Sequence, residues 1–323
     1  MNKLFIYIPT YNRPSALKTQ LSALLNQVEN FPQQVRILVN DNSSDDPFDY
    51  AGERYSSSSN IQFRQNLGNI GANANIALGF VFAQPDEFLW ILSDNDIVAE
   101  GAIAYLLNLL DKKIDFYCFN YSIEEPTEIE CSWEDGLQTP MDWRLGLISD
   151  GLYNTNSIKQ SIDSAFYYHN SSFPHLAVAF SAMKMNGLVR FGLLPRAKIN
   201  NSMFSSAECP TDYSLAQVCM PLLVSLFPAK EAKSFSIMWL REHGVNFYLN
   251  RKRHYYLYLQ SRATLKYFGG WRARILLMWM SLVYMVDIPI RIIRKELIVF
   301  IKRRFSISAI DKLKKYRGVI WGK

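Results

Sequence analysis

Two carboxylates one residue apart, Asp94 and Asp96, close the stretch Phe88-Leu-Trp-Ile-Leu-Ser-Asp-Asn-Asp96. Hard oxygen ligands paired in this way suit Mg²⁺ or Mn²⁺, whose coordination is usually completed by substrate phosphates. In an extended chain, residues two apart project to the same side, so both carboxylates would face one ligand. Asp and Asn also favour turns, and a strand that simply ends in a polar turn is the plain alternative. What positions the pair is a buried strand, the apolar run of residues 88–92 just before it.

Three further polar stretches follow apolar runs in the same way. The run Leu4-Phe-Ile-Tyr-Ile8 leads into Pro9-Thr-Tyr-Asn-Arg13, and Pro14 is well placed in the first turn of a helix that repeats Leu17, Leu21, Leu24 and Leu25. A strand over residues 35–39 leads into Asn40-Asp-Asn-Ser-Ser-Asp-Asp46, and one over 61–64 into Asn66-Leu-Gly-Asn-Ile-Gly71. Helices are expected over 72–82 and 102–110, and a strand over 115–119. Strand and helix alternate, with polar loops after the strands, which is the pattern of a doubly wound, mostly parallel sheet of α/β class. In such a sheet ligands bind beyond the carboxyl ends of the strands, so all four polar stretches should meet at one crevice. The acidic loop at 41–46 lacks the Gly and Glu of a calcium loop, and Gly68 and Gly71 have neither dinucleotide nor P-loop spacing.

Taken together, Pro9-Thr-Tyr-Asn-Arg13, Val39-Asn-Asp-Asn-Ser-Ser-Asp45, Asn66-Leu-Gly-Asn-Ile-Gly-Ala-Asn73 and Asp94-Asn-Asp96 resemble the family 2 glycosyltransferases over about residues 3–200. That family has the GT-A fold and transfers sugars from nucleotide diphosphates with inversion. The resemblance implies that Pro9, Thr10, Tyr11 and Arg13, with Asn66 and Asn73, line the nucleotide-sugar pocket. It places Asp41 at the base and Asp94 near the ribose or sugar. Asp96 would hold a Mn²⁺ or Mg²⁺ bridging the diphosphate, with Asp94 beside it. Independently of the family, Arg13 is chemically suited to pair with phosphate oxygens, while Asp41 is equally suited to anchor its own turn.

An inverting transfer needs a general base near the acceptor hydroxyl. The family usually supplies an Asp from a Glu-Asp pair opening a helix that ends in a short Gly turn before another strand. The matching segment here starts at Phe173, ends at Asn186-Gly187, and has Pro174-His175 where the pair would stand. His175, as a neutral imidazole, is therefore the first candidate base. Asp212 is the second, with helix N-capping as its plain alternative, and Asp163 is a third. The helix carries Leu176, Phe180 and Met183 at one-face spacing, and residues 124–142 read as a loop-rich, acidic insertion at the acceptor side.

The 323 residues are 49% hydrophobic, ample for a core. Cys118, Cys131, Cys209 and Cys219 are scattered without zinc spacing and fit a reducing compartment. The first apolar run is too short for a secretory signal. From Arg251 onward there are 18 Lys/Arg against 3 Asp/Glu, a net of +15, so the remainder carries 6 − 15 = −9. Within that tail the uncharged run of residues 275–286 is shorter than the ~20 residues a spanning helix needs. Interleaved cations, aromatics and aliphatics suit a helix lying on an anionic membrane surface. A packed helical subdomain is the plainer account, and nucleic acid would leave the aliphatic stretches unused.

The expected organisation is a catalytic domain over residues 1–225, with a nucleotide-sugar half at about 1–119 and an acceptor half at about 120–225. A mainly helical, membrane-apposed region would cover 226–323. The expected activity is transfer from a nucleotide-diphosphate sugar, with a UDP-sugar as first choice, to a lipid-linked or other oligosaccharide. It would occur on the cytoplasmic face of the cell membrane, in surface-polysaccharide synthesis. Competing readings are a non-catalytic membrane-associated protein that retains the fold, and a nucleotidyltransferase on a similar sheet.

Overall fold

Leu4 to Ile8 are wholly buried, and this run forms the middle of strand β1 (Lys3–Thr10). A strand without solvent-facing positions needs neighbours on both edges and helices on both faces. Strands β2 (Val35–Asp41) and β4 (Glu87–Ile91) flank it, both parallel to it, and β3 (Ile61–Gln65) adds a parallel strand beyond β2. Helices α1 (Pro14–Val28) and α2 (Ala72–Phe82) are the crossovers. Pro14 occupies the first turn of α1, and Leu17, Leu21, Leu24, Leu25 and Val28 bury one stripe of it, as the leucine spacing predicts.

The computed structural model describes residues 3–45, 55, 58–120, 123–138, 147–169 and 173–202. The expected boundary at 225, the basic aromatic region, Asp212, Cys209 and Cys219 lie outside these residues. The chain divides into two units, Met1–Arg241 and Glu242–Lys323, and everything described belongs to the first. Among the described residues, no helix is long and apolar enough to cross a membrane.

After β4 come the short β5 (Asp96–Val98), α3 (Ala102–Leu109) and β6 (Phe116–Asn120). Then follow β7 (Thr127–Ser132), α4 (Trp133–Gln138), β8 (Gly151–Asn154), α5 (Thr155–Ile158) and α6 (Asp163–Tyr167). Helix α7 (Pro174–Asn186), β9 (Leu188–Pro195) and β10 (Asn200–Ser202) complete the described chain. The sheet order is β3-β2-β1-β4-β8-β6-β9-β7, and β10 pairs separately with β5. Strands β1, β2, β3, β4, β6 and β9 share one direction while β7 and β8 oppose it, so the sheet is mixed and mostly parallel.

One expectation is corrected. Part of the stretch read as a loop-rich insertion is β7 and α4. Strand β7 is the edge of the sheet, exposed over Thr127–Glu130, and its alternation of Ile129 and Cys131 with Glu128 and Glu130 is too short to stand out in an acidic stretch. Leu176, Phe180 and Met183 are buried on α7, as their spacing predicts, and so is every other residue from Pro174 to Met183, because α2, α4, α5, α6 and β9 all pack on it. Its end is as expected: Gly187 takes φ of 74°, which a residue with a Cβ rarely adopts, and donates its N–H to Met183.

The register aligns the strand ends. Thr10 pairs with Asp41 and Asp41 with Gln65, while the Leu92 N–H extends β4 by donating to the Tyr7 carbonyl at 2.9 Å. The polar loops therefore leave the sheet along one edge. Beneath them, Tyr7 lies so close to α2 that a Cβ on Gly79 would come within 2.7 Å of its ring.

Candidate functional site

Residues 93–96 form a turn, with the Asp96 N–H donating to the Ser93 carbonyl at 3.2 Å. The two carboxylates thus do not project from one extended strand, as the spacing suggested, but occupy different places in a turn. Their surroundings differ accordingly. Asp94 is buried and fully engaged: Thr10 Oγ1 donates to its Oδ2 at 2.8 Å and Arg13 to its Oδ1 at 3.0 Å. Burial pushes its carboxyl above the usual carboxylate range, opposed by the Arg13 charge and by both hydrogen bonds. Asp96 is only 3% exposed, and its Oδ1 has no partner among the described residues.

A buried acceptor without a donor is costly and needs an explanation. At the carboxyl end of a sheet, beside a guanidinium that is 35% exposed, such an oxygen can accept from a water or take a cation. Among the described residues no three Cys, His, Asp or Glu gather as a ligand set. A cation here would take one or two protein carboxylates and complete its shell from elsewhere, as Mg²⁺ and Mn²⁺ do with substrate phosphates.

The loops after β1 and β2 are stitched together. The Asn12 N–H donates to Ser44 Oγ at 2.8 Å, Asn12 Nδ2 to Asp45 at 2.9 Å, and the Asp45 N–H returns to Asn12 Oδ1 at 2.9 Å. Asn12 and Ser43 take positive φ, of 53° and 63°. Asp41 accepts from the Ser44 N–H and hydroxyl and from Gln65 Nε2, so it anchors its own turn while staying half-buried. Tyr11 is exposed beside them, and Pro9 is half-buried at the end of β1.

Asn66 is placed differently from a pocket-lining residue. It is buried, and its Nδ2 donates to Asn42 Oδ1 and Asn75 Oδ1, both at 3.1 Å. Asn40 Nδ2 donates to Asn66 and Asn75, and Asn75 Nδ2 to the Asn40 carbonyl at 3.1 Å. Asn42 holds Asn69 and the Ile70 N–H, and Tyr7 donates its hydroxyl to the Asn75 carbonyl at 2.7 Å. This corner ties β1, β2, the 66–71 loop and α2 into one block. Asn73, in the first turn of α2, is half-buried and outside the network.

His175 lies in the first turn of α7, 1% exposed, with the Phe173 ring 6.0 Å away. Asp163 is exposed at the start of α6. Sequence reasoning missed Gln20, whose Nε2 donates to the Ser93 carbonyl and, at 3.0 Å, to that of Asp96. It also missed the buried pair of Arg196 and Asp150, 2.8 Å apart. Arg196 holds the Asn200 carbonyl at 3.2 Å, while Ser149, next to Asp150, accepts from Trp90 Nε1 and from the Ser93 N–H. A polar residue inside the leucine stripe of α1 was the available signal for Gln20; for Asp150 and Arg196 nothing local marks the pairing.

Residues 5–172 match the model of glycosyl transferase family 2. Abequosyltransferase RfbV of Salmonella typhimurium is 32% identical over 112 residues, which is 34% of this chain and 33% of RfbV, so the shared stretch spans about a third of that relative. Among solved structures, S. aureus TarS superposes with a TM-score of 0.63 at 15% identity, over 88% of this chain and 54% of TarS. TarS 1-349 in complex with UDP-GlcNAc gives 0.60 at 15% identity, over 87% and 88%. Identities this low bear on the fold, a GT-A-type sheet with flanking helices.

Proposed function

This chain belongs to glycosyl transferase family 2, and we propose that it moves a sugar from a nucleotide-diphosphate donor, with inversion, to a hydroxyl of a saccharide in surface-polysaccharide synthesis. The observation that carries the reading is the Asp94-Asn-Asp96 turn, with one carboxylate saturated by Thr10 and Arg13 and the other left with a buried, unpartnered oxygen. The RfbV match supports the polysaccharide setting, and the UDP-GlcNAc complex of TarS makes a UDP-sugar the first donor to test.

In this mechanism Arg13 and Thr10 hold Asp94 ionised and oriented towards the donor's ribose or sugar, despite burial that favours its neutral form. Arg13 keeps part of its guanidinium exposed and adds positive charge near the diphosphate. Asp96 Oδ1 fits a Mn²⁺ or Mg²⁺, because a hard, unpartnered carboxylate oxygen beside a phosphate site is what such an ion takes. Bound there, the ion would supply Lewis-acid stabilisation of the departing diphosphate.

The acceptor hydroxyl loses its proton to a base contributed by His175 or Asp212. His175 is the first choice because it opens the helix in which the family carries its base, and a neutral imidazole suits the task. The acceptor is lipid-linked in this reading. The basic segment from Arg251 to the end, net +15, would hold the enzyme against the anionic cytoplasmic face of the membrane.

The test is thermal stability against UDP, GDP, dTDP and CMP, with and without Mn²⁺. A ligand that binds only the folded state raises the melting temperature, by an amount set by its concentration relative to Kd. One nucleotide should stabilise the protein in a cation-dependent way, and Asp96→Ala should abolish the shift. Silence with every nucleotide, together with absence of turnover, would favour a non-catalytic member of the family, the reading to which the Pro174-His175 substitution of the usual acidic pair lends weight.

A further inference from the structure

Helix α1 buries six side chains, and five of them are the hydrocarbons Leu17, Leu21, Leu24, Leu25 and Val28. The sixth is Gln20, 0% exposed. A buried amide is unfavourable unless its groups are bonded, and here only the Nε2 side is used, since Oε1 has no partner among the described residues. A leucine would complete the stripe without that cost. The amide therefore does something packing does not require.

Its two hydrogen bonds state what. Nε2 donates to the carbonyls of Ser93 and Asp96, the first and last residues of the acidic turn. Those residues are already joined by the Asp96 N–H to Ser93 bond, so the amide clamps the mouth of the turn from below. Gln27 lies seven residues on, two helical turns along the same face. Its Nε2 donates to the Ala99 carbonyl at 3.0 Å and its Oε1 accepts from the Ile103 N–H at 3.3 Å. Helix α1 thus grips β5 at its first residue and again just past its end. Among the described residues Asp96 Oδ1 has no donor to orient it, so the position of that oxygen depends on how its backbone is held.

We propose that Gln20 is a positioning residue for the cation–diphosphate site: it fixes the Ser93–Asp96 turn so that the Asp96 carboxylate meets a nucleotide-bound divalent ion in a ready geometry. The inference rests on the donor-binding reading above. Residues that orient a metal ligand typically alter metal affinity by about 10–100-fold when removed, and misplacement by about 1 Å is enough to be felt in catalysis.

The experiment is Mn²⁺ binding in the presence of UDP, followed by electron paramagnetic resonance of free Mn²⁺, on wild type, Asp96→Ala, Gln20→Met and Gln27→Met. Methionine keeps the volume and removes the donor. Gln20→Met should weaken UDP-dependent Mn²⁺ binding by about 10–100-fold and raise the donor KM more than it lowers kcat. Gln27→Met, which acts just past the far end of β5 and on α3, should change it by less than about threefold, because that amide touches neither Ser93 nor Asp96. If Gln20→Met does not fold, Gln20→Glu, which keeps the shape and sets acceptors against both carbonyls, carries the same expectation. Binding unchanged in the Gln20 variants, or weakened equally by Gln27→Met, overturns the positioning role while leaving the site intact. Absence of UDP-dependent Mn²⁺ binding in wild type overturns both this role and the reading beneath it.

Discussion

Two polar clusters lie at the same edge of the sheet, a few residues past neighbouring strands, and they solve the burial of polar groups in opposite ways. In the asparagine corner, Asn40, Asn42, Asn66 and Asn75 present eight amide ends, of which only Asn40 Oδ1 lacks a partner among the described residues. In the acidic turn, Asp94 is saturated but Asp96 keeps a buried oxygen unmatched. Neutral groups that satisfy one another rigidify a fold. A charge left unmatched destabilises the empty protein and is retained where a ligand completes it. What each cluster leaves unmatched, a neutral amide oxygen in one and a carboxylate oxygen in the other, separates the scaffold from the site.

The comparison breaks most directly at Asp96. Asp96→Ala should lower kcat/KM by about a thousandfold, equivalent to about 4 kcal/mol of transition-state stabilisation. Its melting temperature without nucleotide should be equal to or above wild type, because an uncompensated buried charge is gone. A lower melting temperature would mean that Asp96 is scaffold.

The opposite signature is expected in the corner. Asn75→Ala removes the acceptor shared by Asn40 Nδ2 and Asn66 Nδ2 and the donor to the Asn40 carbonyl, three buried bonds, and should cost about 2–4 kcal/mol in urea unfolding. Well below its melting point it should leave donor KM within about threefold. The same block is probed by Gly79→Ala, whose methyl would press on the buried Tyr7 ring; overpacking of this kind costs about 1–3 kcal/mol.

The smallest effect sharpens the comparison within the turn. Arg13 holds the Asp94 carboxyl down against burial that pushes it up. Arg13→Met removes the opposing cation, so the carboxyl rises further and protonates at higher pH. The acid limb of UDP binding, read by calorimetry against pH, should move to higher pH. The stability consequence has the same sign: with its carboxyl above the unfolded value, Asp94 disfavours folding as pH rises through the raised value, and more so in Arg13→Met.

Much of this was legible in sequence because it is local. The leucine spacing gave α1, the loop glycine at 187 gave the end of α7, and apolar runs followed by polar stretches placed the strand ends that the register then aligned. What was hidden depends on pairing across distance. Nothing near residue 151 says that β8 enters the sheet antiparallel between β4 and β6. Likewise Asn66 and Asp94 look equally apt for a ligand, and only their partners, from residues 10 to 75, tell the two apart. Gln20 was visible as a letter, but its meaning required the carbonyls above it.

The ribbon of β5 and β10 has a temporal consequence. Ser202 pairs with Asp96, so 202 − 96 = 106 residues separate the two sides of this small sheet. At synthesis rates of about 5–20 residues per second, a growing chain carries the acidic turn for roughly 5–20 seconds before the strand that flanks it has been made. During that interval α1, translated earlier, is already available to hold the turn. The site thus draws one support, α1, from chain made before the acidic turn and another, β10, from chain made about a hundred residues after it.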